Sequence, residues 1–205
     1  MSRGPATLLR GTTPPTWRYD RLVEALTPVL RGLGSAPLRV LDVGGGAGRD
    51  AVALARLGHE VLVLDTSARA LAQAHEAADR AGVADRIRTV DADLEDLTTL
   101  AELTRYRAGG SGSFDLVCCH DVLGGRGSAE QVLLDLATVS SSVRPGGVLS
   151  LLGPVRPARG ELGLDPDVLG VALLDLGLHE VSPGELLAPV GERGTPFWHL
   201  TARRA

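Results

Sequence analysis

The sequence predicts a single α/β domain built on a doubly wound, mostly parallel, seven-stranded sheet. Three observations carry that expectation. Short apolar runs alternate with helical patterns along most of the chain, which is the rhythm of βαβ units. The first run, Val40 to Val43, leads straight into Gly44, Gly45, Gly46 and Gly48. The second, Val61 to Leu64, ends on an acid, Asp65, at about the twenty-residue distance at which such units place a ribose-binding carboxylate.

Taken in order, residues 1–16 are rich in Gly, Pro and Thr and read as a loose arm. From Thr16 the pattern turns helical. Tyr19, Leu22, Leu26, Val29 and Leu30 recur at helix spacing, with an end predicted near Gly32 or Gly34 and a place beside the ligand pocket. Residues 1–36 are therefore expected to form an N-terminal arm and helix, and 37–205 the ligand-binding domain. Within the latter, only glycines let a backbone turn sharply after a strand and approach a ligand closely. The loop amides are expected to face that ligand. A helix follows from about Arg49 to Leu57 and stops at Gly58, and the second strand closes the unit on Asp65.

Thr66-Ser67 can cap a helix to about Arg80, with Leu71 and Ala74 inside and Gly82 closing it. Ile87 to Val90 form a third strand, followed by Asp91-Ala92-Asp93-Leu94. A helix is predicted over 95–106 and a flexible loop over 108–113. Phe114 to Cys119 make the fourth strand. His120-Asp121-Val122-Leu123 emerge at its carboxyl end, where open α/β sheets bind ligands. Ser128 and Gln131 spell a capping box for a helix to about Ser142. Arg144-Pro145-Gly146-Gly147 then turn into a fifth strand, Val148 to Leu152. Asp165 and Pro166 start another helix as cap and first-turn proline. Leu178 to Val181 and Trp198 to Thr201 supply the last two strands.

Composition removes several function classes. The 205 residues carry a formal charge of −4, which makes no electrostatic case for nucleic acid. No apolar run approaches the ~18 residues that span a bilayer, and MSRGPATLLR lacks a signal-peptide core, so a cytoplasmic protein without membrane partners is expected. There is no lysine, which excludes a Walker A phosphate loop and a pyridoxal Schiff base. Cys118 and Cys119 are neighbours on a strand and point apart, as small core residues rather than a disulfide. His59, His75, His179 and His199 are scattered without ligand spacing, so no metal site is predicted.

Two cofactor classes remain for the glycine loop. Gly46-Ala47-Gly48-Arg49-Asp50-Ala51 satisfies the dinucleotide pattern G-x-G-x-x-A. Asp42, on the strand just before the glycines, gives D-x-G-G-G-x-G instead. That motif resembles the first motif of class I S-adenosylmethionine (SAM)-dependent methyltransferases, which have a Rossmann-like fold. Phe114-Asp115-Leu116-Val117, followed by Arg144-Pro145-Gly146-Gly147 and a strand, is a second and independent resemblance. It implies SAM as methyl donor, with S-adenosylhomocysteine as product. It implies that Asp42 orients the loop Gly44, Gly45, Gly46 and Gly48 and helps hold the methionine end. Asp65, followed by Thr66, would take the ribose. Asp93 would meet the adenine amino group, and the Leu94 amide a ring nitrogen.

Several segments are similar to the bacterial tRNA carboxymethyluridine methyltransferases in particular. These are Thr12-Thr13 with Trp17-Arg18, LRVLDVGGGAG, ARLGHEVLVLDTSA, Ala77-Ala78-Asp79 with Ala81-Gly82-Val83, FDLVCCHDVL, RPGGVLSLL and the terminal HLTARR. By that resemblance Arg18 would hold the cofactor carboxylate, where a guanidinium fork suits bidentate contact, and His120 would line the cofactor. Plain alternatives are a helix-surface arginine and a histidine that only packs. If the acceptor needs a base, His120 is the candidate. One departure stands out. That branch carries a sizeable substrate-binding insertion after the fifth strand, whereas here only Gly153 to Leu164 precede the next helix. The acceptor is accordingly expected to be a small molecule, with tRNA possible but unsupported by charge. A NAD(P)-linked oxidoreductase and a SAM-binding protein without catalysis are the rival readings. The methylated atom and the oligomeric state are not encoded in any motif.

Overall fold

At the centre lie β1 (Arg39–Val43) and β4 (Phe114–His120), paired in parallel with Asp42 opposite Cys118. The computed structural model describes residues 17–34, 37–94, 114–155, 160–182, 184–187 and 196–205, with the side chains of 17–21 and of 126 excepted. Both central strands are buried almost throughout, which is why they read as continuous apolar runs rather than as alternating ones. On one side follow β2 (Glu60–Asp65) and β3 (Ile87–Asp91), both parallel. On the other follow β5 (Val143–Pro154), parallel to β4, and then the antiparallel β8 (Phe197–Arg204). The order β3-β2-β1-β4-β5-β8-β6 reverses its winding between β1 and β4. Such a switch point opens a crevice at the carboxyl ends of the strands.

Helices cover both faces. Against one lie α1 (Trp17–Leu33), α2 (Arg49–Arg56) and α3 (Ala68–Ala81), which bury Leu22, Leu26, Ala51, Leu54, Leu71 and Ala78 with Val40, Val61 and Leu116. Against the other lie α4 (Ala129–Ser142) and α5 (Pro166–Asp175), which bury Leu136, Val139, Leu169 and Leu173 with Leu41, Val117 and Leu149. The helix starts follow their sequence signals. The side chains of Ser67, Ser128 and Asp165 accept from Ala70, Gln131 and Asp167 amides, and Gly82 ends α3 in the left-handed conformation. The box at α4 is only half closed, since the Gln131 side chain donates to Asp135 instead of reaching back.

Two strand expectations need correction. Arg144-Pro145-Gly146-Gly147 do not precede the fifth strand but lie inside β5, which begins at Val143. They bulge out where the pairing with β4 jumps from Phe114–Val143 to Leu116–Val148. Gly146 takes φ 74° there, and a Cβ on Gly147 would stand 2.9 Å from the Asp115 carbonyl, so both glycines are steric requirements. The sixth strand is also divided. β6 (Leu178–His179) and β7 (Glu185–Leu187) both pair antiparallel with β8, at its far and near ends. The seven expected strand positions are filled, one of them by this broken edge. The predicted arm over 1–16, the helix over 95–106 and the loop over 108–113 lie outside the described residues.

Candidate cofactor site

The glycine loop leaves β1 and enters α2 across the switch point, and its glycines have different reasons to be glycine. A Cβ on Gly44 would stand 2.3 Å from the Val122 side chain, which comes from the segment after β4. One on Gly45 would stand 2.6 Å from the Asp42 carboxylate, and one on Gly48 2.7 Å from the Ala74 Cβ. Gly46 differs, because a Cβ there would meet only the Gly44 carbonyl, at 3.9 Å. Three of these glycines are therefore bare for packing, and Gly46 faces open space at φ 54°. That is the position where a ligand can come close to the backbone.

The loop amides largely serve the protein itself. Those of Gly44 and Gly45 donate to the Leu64 carbonyl, and that of Gly48 to Gly45. The Gly46 amide donates to Asp65 Oδ2 at 2.9 Å, while Asp65 Oδ1 accepts from Ser67 at 2.8 Å. The expectation that the amides face a ligand is corrected to that extent. Two backbone donors instead lock the Asp65 carboxylate at the tip of β2, half-buried, and a carboxylate with two donors keeps lone pairs for a diol. Thr66 beside it is exposed. Just past the end of β3, Asp93 Oδ1 accepts the Leu94 amide at 2.6 Å, so the two residues expected to share an adenine ring act on each other here. Leu94 is buried and Asp93 half-buried.

Asp42 lies beneath the loop, 1% exposed, and its Oδ2 has no hydrogen-bond partner among the described residues. Burial, then the nearby charges of Asp50 and Asp65, push its carboxyl well above the usual carboxylate range, against a smaller opposing pull from the Ala51 amide. Three acids thus converge on one loop. The same burial, with Asp42 and Asp50 nearby, raises the Cys118 thiol and keeps it inert.

His120 ends β4 on the same face, and Asp121 after it holds φ 62°, uncommon for a residue with a side chain. Backbone strain of this kind gathers at ligand sites. His120 is buried, and both ring nitrogens are engaged. Nδ1 lies 2.9 Å from Asp50 Oδ2, and Nε2 lies 2.9 Å from the Ser150 hydroxyl. Ser150 in turn lies 2.9 Å from His199 Nε2. Each ring nitrogen thus has a partner inside the protein. Sequence reasoning missed Asp50, Ser150 and His199. One signal was present, since Ser150 is the lone polar residue in Val148-Leu149-Ser150-Leu151-Leu152. Arg18 lies in α1, one turn before Leu22, with its side chain outside the described atoms. No group of three or more potential metal ligands occurs among the described residues, and no described helix is long and apolar enough to cross a membrane.

Fold and site together define a doubly wound domain with an acidic, glycine-lined crevice at its switch point. Residues 40–147, more than half of the chain, match the methyltransferase domain family. The chain belongs to that family. It is 36% identical over 142 residues to the tRNA 5-carboxymethoxyuridine methyltransferase of Escherichia coli K12, an alignment covering 69% of this chain and 50% of the relative. The chain thus spans about half the length of that curated relative. Among solved structures, the magnesium protoporphyrin IX methyltransferase of Synechocystis PCC 6803 with bound SAM superposes with a TM-score of 0.69 at 18% identity, over 92% of this chain and 80% of the other. A Burkholderia thailandensis 1,6-didemethyltoxoflavin-N1-methyltransferase, with its acceptor and S-adenosylhomocysteine bound, gives 0.66 at 19%, over 92% and 79%. These likenesses establish the shared class I fold.

Proposed function

We propose that this chain is a SAM-dependent methyltransferase acting on a small-molecule acceptor. The observation that carries the cofactor is the convergence of Asp42, Asp50 and Asp65 on the glycine loop. Their mutual repulsion is the mark of a negative field at the crevice. A dinucleotide would bring a pyrophosphate into that field, whereas SAM brings a sulfonium and an ammonium and relieves it. When bound, SAM supplies an electrophilic methyl group on a cationic sulfur.

The residues of the chain then have work of position rather than of covalent chemistry. Asp65 accepts from the two ribose hydroxyls, with Thr66 at the rim. The open face of Gly46 receives the body of the cofactor, Gly44, Gly45 and Gly48 keep the loop close-packed, and Asp42 supports the loop from below. Asp93 and Leu94 border the adenine, and Arg18 closes on the cofactor carboxylate from α1. His120 supports the site from within. In-line transfer needs alignment and exclusion of water, which a shaped crevice supplies.

The acceptor reading rests on charge. A tRNA acceptor needs several cationic contacts to phosphate, and the chain is net acidic at −4. The tRNA-acting relative at 36% identity is the specific observation in favour of a tRNA acceptor. Calorimetric titration of SAM against NADH, with the wild type and a folded Asp65→Ala variant, tests the cofactor. SAM binds and NADH does not. Loss of charge-assisted hydrogen bonds of about 1.5–3 kcal/mol each lowers SAM affinity at least about tenfold in the variant. Unchanged affinity would remove Asp65 from the site. Labelled SAM with bulk tRNA or a small-metabolite extract tests the acceptor, and label that enters tRNA and fades with rising salt would replace the small molecule.

A further inference from the structure

Four polar side chains form a continuous buried line across the α1/α2 face of the sheet. It runs from Asp50 on α2 through His120 on β4 and Ser150 on β5 to His199 on β8, with 2.9 Å at each of its three links. The members around the middle are sealed, with His120 7%, Ser150 0% and His199 3% exposed. Their neighbours Leu116, Val148 and Leu152 are apolar and buried. Buried polar groups are costly unless fully partnered, and an apolar strand would fold without them. The line has one open end. The Asp50 side chain keeps 16% of its surface, against 3% for His120, and borders the groove between α1 and α2 beside Leu22, Leu26 and Leu54.

The hydrogen bonds can be oriented from the ends inward. An ionised Asp50 only accepts, so His120 Nδ1 carries the proton toward it. With that single proton on the ring, Nε2 accepts the Ser150 hydroxyl proton. The Ser150 oxygen is left to accept from His199 Nε2–H. Burial, and then His120 beside it, lower the basicity of His199 to a pKa of about 3, so it stays neutral and serves as a donor. In this arrangement every link points its donor toward Asp50. The position of Asp50 in the first turn of α2 adds the positive end of the helix dipole to the support of its charge.

Resting on the SAM reading above, we propose that Asp50 is a donor-binding residue that takes the ammonium of the methionine end, and that His120, Ser150 and His199 are positioning residues that hold its carboxylate fixed at the crevice. The orphaned Asp42 Oδ2, 1% exposed, is a second acid beneath the same loop.

The test compares S-adenosylhomocysteine with 5′-methylthioadenosine, which shares the nucleoside and the thioether but lacks the amino-acid end. Asp50→Asn lowers affinity for the homocysteine ligand about tenfold, as a charged acceptor becomes neutral, and leaves methylthioadenosine unchanged. Ser150→Ala and His199→Phe shift the same ratio in the same direction by smaller factors, while His199→Gln, which retains a donor, restores part of it. A merely structural line would lower both affinities together, or only the melting temperature, and an unchanged ratio in Asp50→Asn would overturn the assignment. If the wild type binds neither ligand, the SAM reading itself fails, a result distinct from binding of both with an unaltered ratio.

Discussion

Asp42 is held where its own charge is costly. Ionisation in a site 1% exposed, with Asp50 and Asp65 nearby, is opposed by desolvation first and repulsion second. Its folded pKa stands above the unfolded value, so the folded state binds the extra proton. Stability from this group is present at acid pH and declines as pH rises through the ordinary carboxylate range and beyond. Asp42→Asn removes that penalty with little change of shape. The variant therefore melts higher than the wild type near pH 7, and the gain shrinks as the solution is acidified. Thermal unfolding across pH checks it, and a gain that grows toward acid pH would contradict the raised pKa. The same variant binds SAM more weakly if the acid serves the donor, a trade of stability for function.

At the scale of elements, the α2 start shows how packing constrains the loop. Gly48 caps α2 at φ 73° and lies against Ala74 of α3, where a Cβ would stand 2.7 Å from the Ala74 Cβ. Gly48→Ala combines left-handed strain with overpacking between two helices, and lowers stability by about 2–4 kcal/mol. Urea denaturation measures this. A loss below about 1 kcal/mol would mean that α2 and α3 can separate without cost. The glycines in β5 answer to the same logic at the other end of the sheet. The bulge there lets Arg144 turn back to the Asp115 carboxylate, which also accepts the Arg39 amide at 2.7 Å and so ties β1, β4 and β5 together.

Across the whole molecule, the return of the chain through β8 places His199 in the interior beside β5. Its pKa of about 3, against an ordinary 6.5, means that the folded state refuses a proton that the unfolded state accepts. Stability contributed by the neutral ring is present above about pH 6.5 and is lost as pH falls toward 3, by up to about 1.4 kcal/mol per pH unit. Asp42 pulls the other way over part of this window. His199→Phe removes the first effect alone, so its stability relative to the wild type improves between pH 7 and pH 4.5. Denaturant midpoints at the two values report it, and a constant difference would show that His199 titrates normally.

The features legible in the sequence are those satisfied within a few residues of themselves. Ser67, Asp165 and Gly82 cap helices through bonds to their immediate neighbours, and the run from Asp42 through the glycines to Asp65 is one βαβ unit whose loop and acid meet by local geometry. These determine the alternation of elements, the doubly wound fold and the place of the crevice. Only the tertiary structure decided the rest. His120 meets Asp50 across 70 residues, Ser150 across 30, and Ser150 meets His199 across 49, because the order β4-β5-β8 and the crossing of α2 bring them to one face. Likewise the bulge in β5 and the divided β6–β7 edge depend on which strand lies alongside. Hydrogen bonds between distant segments leave no periodicity in the chain, so a lone serine in an apolar strand was the sole trace of a line that joins α2, β4, β5 and β8.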